Sequence, residues 1–83
     1  MRFSNGHPEK SVHLFWLDPQ IEEESMIAQI EPEGEKIVET YAEQVWLMRA
    51  SAHPQGKLLR RCEVTYQLQQ HCGVAPKPER EDL

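Results

Sequence analysis

Long hydrophobic runs are missing from this chain, and so is any surplus of basic residues. No apolar stretch approaches the ~18 residues that a membrane-spanning helix needs, so no span is expected. Lys and Arg number 9 against 14 Asp and Glu, a formal net charge of -5. Counterion release from a phosphate backbone needs a basic surface, so a general nucleic-acid binder is not expected. There are 2 cysteines, Cys62 and Cys72, too few for a disulfide-dense miniature fold or a four-cysteine zinc site. The 4 glycines all stand alone, so there is no glycine-rich phosphate loop. The first residues, MRFSNGHPEKS, hold no apolar stretch of the secretory-signal kind. An intracellular, cytoplasmic location is the expectation.

What is present is one small domain of 83 residues with a thin core. Residues 1–10 are polar and read as an N-terminal arm. Residues 73–83 carry Pro76, Pro78 and a charged end, and read as a tail that is either disordered or ordered by a partner. The folded part is then 11–72, and it reads as period-2 strands. Val12–Leu17 alternates with apolar residues on both faces, and Asp18-Pro19 ends it. Met26–Ile30 is a second strand and Ile37–Tyr41 a third. Val45–Ala50 is a fourth, with Trp46 and Met48 on one face. The run from Leu58 to Gln69 is a long fifth. Glu31–Gly34 and His53–Gly56 read as turns, with proline early and glycine late. Helix is the competing reading for 20–30 and 39–48. The predicted class is all-β: a small antiparallel sandwich of about five strands, incomplete, with flexible termini.

The order V-H-L-F-W-L-D (12–18), I-E-P-E-G-E-K-I-V-E-T-Y (30–41), Q-V-W-L-M-R-A (44–50) and Q-G-K-L-L (55–59) resembles the β domain of the von Hippel–Lindau family. The resemblance covers about 12–66. It implies an antiparallel sandwich of about seven strands. It also implies a hydroxyproline pocket lined by two tryptophans, a tyrosine, a serine and a histidine. Trp16 and Trp46 stand at the tryptophans and Thr40 at the serine. Gln44 stands at the histidine, and no tyrosine stands near Ser25 or Met26. Nothing in these residues resembles the family's Elongin-binding helical segment, so a ligase-adaptor role is not implied.

Candidate chemistry is sparse. Trp16, Thr40, Tyr41, Gln44 and Trp46 form the candidate peptide-binding or partner-binding surface, together with the tail 74–83. Aromatic grooves accept extended proline-containing segments in this way; the plain alternative is that both tryptophans anchor the core. Cys62, His71 and Cys72 could serve a metal or redox site, but no tight ligand pair accompanies them. Both thiols are expected reduced, one buried and one in the tail; a disulfide requires the chain to fold back. The glutamate runs 22–24 and 31–35 read as solvated connections, and Glu39 and Arg49 as a cross-strand pair. No nucleophile motif is present. The expectation is therefore a non-enzyme without cofactor. It is read as a protein-interaction module serving as an accessory subunit, or completing its sandwich as a strand-swapped dimer; the alternatives are a free-standing reader of proline or hydroxyproline peptides through Trp16 and Trp46, and a metal or redox protein using Cys62, His71 and Cys72.

Overall fold

The computed structural model describes residues 1–66 and 70–74. It is all-β, with seven strands in two sheets and no helix among the described residues. The strands are β1 (Arg2–Asn5), β2 (Val12–Leu17), β3 (Glu24–Ile30), β4 (Glu35–Ile37), β5 (Val45–Arg49), β6 (Leu58–Glu63) and β7 (His71–Val74). One sheet has the order β3-β2-β5-β6 and is antiparallel throughout. The other has the order β4-β1-β7, antiparallel between β1 and β4 and parallel between β1 and β7. The core lies between them. Val12, Leu14, Trp46, Met48 and Cys62 face it from the first sheet, and Phe3 and Cys72 from the second.

The first ten residues are not a loose arm. β1 is the central strand of the smaller sheet, and Phe3 is fully buried. Two polar residues that composition places outside, Asn5 and His7, are buried as well. Their hydrogen bonds explain it. The Asn5 amide donates to the carbonyls of Lys10 (2.7 Å), Ile30 (3.1 Å) and Glu31 (3.2 Å). Its oxygen accepts from the His7 N–H at 2.9 Å. His7 Nδ1 accepts in turn from the N–H groups of Glu9 (3.1 Å) and Lys10 (3.0 Å), which requires the neutral imidazole with its proton on Nε2. Buried polar groups are tolerated when satisfied in this way. Asn5 thus ties β1 of one sheet to the end of β3 in the other.

Strand limits also move. The predicted strand Ile37–Tyr41 is displaced to Glu35–Ile37, where Ile37, Lys36 and Glu35 stand opposite Arg2, Phe3 and Ser4 of β1. Met1 closes the pairing, its ammonium donating to Val38 O (2.9 Å) and its carbonyl accepting from Val38 N (3.0 Å). The long fifth strand stops at Glu63, and 67–69 lie outside the described residues. The predicted boundary at 72/73 falls inside β7. Both turns form, closed by Gly34 N–H to Glu31 O (2.9 Å) and Gly56 N–H to His53 O (2.8 Å). In the first turn the left-handed residue is Glu33 (φ 60) rather than the glycine. Gly34 suits the close approach instead: a Cβ there would lie 3.0 Å from Glu31 O, a tight contact that the backbone would have to relieve by a small shift.

The cysteines depart furthest from expectation. Cys62 on β6 and Cys72 on β7 are joined as a disulfide, their Cα atoms 6.3 Å apart. Cys72 lies on a strand paired with β1, not in a tail, and this brings it against β6. The bond crosses from one sheet to the other.

Candidate functional site

The five candidate residues divide into two groups. Trp16 on β2 and Trp46 on β5 are direct cross-strand partners. Directly opposed residues share a face with Cβ atoms about 5 Å apart, and here that face is the core. Trp46 is buried and stacks at a tilt on Phe3, with centroids 5.4 Å apart and planes at 47°. Trp16 is partly buried against the same cluster. The face of Trp46 that a peptide ring would need is therefore shared with β1. Both indole Nε1 atoms are nonetheless buried without a protein partner. A buried donor left unmade costs about 1–3 kcal/mol, so each tryptophan presents an unanswered donor.

Tyr41, Thr40 and Gln44 sit in the loop between β4 and β5. Gln44 organises it: its side-chain oxygen accepts from Tyr41 N–H (2.9 Å), and its own N–H donates to Tyr41 O (3.2 Å). Its carbonyl accepts from Val64 N–H at 2.8 Å, which fixes the loop to the chain leaving β6. Gln44 is thus committed to backbone partners. Thr40 is half-buried. The Tyr41 ring is 65% exposed and turns to solvent, donating its hydroxyl to Glu39 Oε1 at 3.2 Å. That hydrogen bond, the Glu39 charge and slight desolvation together hold the phenol above its ordinary range. The loop gathers these three residues, but it does not aim the tyrosine into the space between the tryptophans. Of the tail 74–83, Val74 ends β7 and 75–83 lie outside the described residues.

The Cys62, His71 and Cys72 group is not assembled as a ligand set. The two sulfurs are bonded to each other, and metal binding requires free thiolates. His71 Nε2 is 2.6 Å from Ser4 Oγ across the β1–β7 pair. No group of three or more His, Cys, Asp or Glu side chains arranged for a metal occurs among the described residues.

The outer face of the larger sheet holds an arrangement that sequence pattern did not reveal. Arg49 pairs with Glu24, not Glu39. Nε and Nη2 each donate to one carboxylate oxygen at 2.8 Å, and Nη1 donates to Gly56 O at 2.8 Å. Arg49 lies opposite His13 and Glu24 opposite Leu17, so the fork crosses β2 above Phe15. This accounts for an outward-facing phenylalanine with only 1% exposure. It also leaves β3 as an edge strand whose one charge is already neutralised.

Neither a protein-family model nor a curated protein sequence matches the chain. Among the described residues, no helix is long and apolar enough to cross a membrane.

Proposed function

We propose that the chain is a non-catalytic protein-interaction module, a small accessory subunit of a larger assembly. One observation carries the reading. Both sheets are open, and their edge strands expose large apolar side chains: Met26 and Ile27 on β3, Ile37 on β4 and Leu58 on β6. Open edges with apolar side chains are templates for another chain. The test is affinity purification of the native protein followed by sedimentation of the recovered species. A stoichiometric complex, abolished by charged substitutions at these edges, is the expected result. A chain recovered alone, monomeric and cooperatively folded, would refute the proposal.

A second reading, a reader of proline or hydroxyproline peptides, draws on the resemblance to the von Hippel–Lindau β domain and on the unanswered indole donors of two cross-strand tryptophans. A peptide carbonyl or hydroxyl oxygen is the acceptor they lack. Phe3 stands against Trp46, so entry requires that ring to move. Tryptophan fluorescence that ignores proline-rich peptides, with and without hydroxylation, removes this reading.

A further inference from the structure

Four edge strands bound the two sheets, and they are not equivalent. β4 has three residues, two of them charged. β6 carries Arg60, Arg61 and Glu63, and β7 has four residues. Short length, charge and bulges are the usual protections of a sheet edge. β3 has only the last of these: it has seven residues, the longest strand among the described residues, and is paired on one side only. Its interior, Ser25-Met-Ile-Ala-Gln29, has no charge and no proline. The register slips between Leu14 and Phe15, which leaves Ile27 as the bulged, unopposed residue. Met26 and Ile27 are both 48% exposed there.

The ends of β3 say what covers it. Glu22 and Glu23 precede the strand, and Glu31 and Glu33 follow it, all four exposed. Glu24 is excluded from this count because Arg49 holds it. A second copy is a poor occupant. In an antiparallel β3–β3 pair about a two-fold axis, each strand's start lies beside its partner's end. Glu22 and Glu23 would then meet Glu31 and Glu33, with like charges opposed along both ends. A complementary chain has the reverse pattern.

Resting on the reading of the protein as an interaction module, we infer that the β3 edge binds an extended peptide segment with an uncharged, β-branched centre and basic residues at both ends. Strand addition supplies main-chain hydrogen bonds, and the alternate side chains contact Met26 and Ile27. Glu23 and Glu31 are eight residues apart, about 26 Å at strand rise. The basic ends of the bound segment are therefore about seven or eight residues apart.

The probe is a fluorescein-labelled peptide with two lysines at each end and six alternating threonines and valines between them, followed by anisotropy. Binding is expected, at least about tenfold tighter than for the same peptide with glutamates at its ends, and weakened as added salt shortens the screening length. Ile27→Lys is expected to weaken it at least about tenfold by placing a charge on the edge. A central proline in the peptide is expected to do the same, by removing a ladder donor. Tyr66→Lys, an exposed position beyond β6 at the opposite edge of the sheet from β3, is expected to leave binding unchanged. Equal binding by Ile27→Lys, equal binding of the glutamate-ended peptide, or equal loss in Tyr66→Lys would overturn the inference. So would sedimentation showing a dimer that Ile27→Lys dissociates. If the peptide fails to bind while a native stoichiometric complex survives Ile27→Lys, the β3 assignment fails and the module reading stands. If no complex forms at all, both fail.

Discussion

Replacing Asn5 tests the claim that a buried polar side chain helps to join the two sheets. The side chain is 1% exposed; its two amide protons are shared among three carbonyl oxygens and its oxygen accepts once. Counted as three hydrogen bonds with a net contribution of about 0.5–1.5 kcal/mol each, they give about 1.5–4.5 kcal/mol. Two of the freed carbonyls, Lys10 and Glu31, are only partly buried and regain water, which leaves about 1–3 kcal/mol for Asn5→Ala. A chain of this length has about 4–12 kcal/mol in total. The loss is therefore a sizeable fraction, equivalent to about 5–25 °C in Tm for a domain of this size. Urea unfolding at neutral pH without reductant, with the disulfide intact in every sample, measures it. Asn5→Asp separates hydrogen bonding from volume. The variant is nearly isosteric, yet it turns an amide donor toward three carbonyl oxygens into an acceptor. It is expected to destabilise at least as much as Asn5→Ala at neutral pH. Lowering the pH is expected to restore part of the loss, because the protonated carboxyl regains one donor. The native state then holds that proton more tightly than the unfolded state, so the variant's stability falls as pH rises. If Asn5→Asp is milder than Asn5→Ala at neutral pH, or Asn5→Ala costs less than about 1 kcal/mol, the reasoning is wrong.

Three further outcomes follow from the same geometry. Glu24→Gln breaks the fork over Phe15, whose side chains are 14% and 16% exposed. It is expected to destabilise by about 1.5–3 kcal/mol, and a cycle with Arg49→Met is expected to show coupling of about 0.5–3 kcal/mol by chemical denaturation. The paired change Cys62→Ala and Cys72→Ala opens a loop with a sequence separation of 10. Loop-closure entropy then predicts a loss of about 2–3 kcal/mol, matched by the native chain in excess reductant. Glu39→Gln removes the group that raises the Tyr41 phenol, so ultraviolet titration is expected to show that tyrosine ionising at lower pH. An unchanged titration curve would mean the hydrogen bond does not persist in solution.

The all-β class and the strand cores of β2, β3, β5 and β6 were legible because apolar residues alternate there and proline or glycine punctuates the turns. The opposition of Trp16 and Trp46 was not legible, because strand pairing is a property of the sheet. β1 was illegible for a physical reason. Its inward residues are Phe3 and Asn5, and an asparagine is read as exposed unless its partners are known; three of them lie 5 to 26 residues away. The uncharged stretch Ser25–Gln29 between two glutamate runs was visible in the sequence. That it forms an edge was not, because strand order is a property of the sheet.

The sequence alone determined the period-2 strands, their turns and the acidic flanks, since each depends on near neighbours in the chain. Only the tertiary structure decided which strands became edges, that Cys62 meets Cys72, that Arg49 pairs with Glu24 above Phe15, and that the Trp46 ring lies against Phe3. Each of these joins residues from different strands, and it is the closing of two sheets over a shared core that brings them within reach.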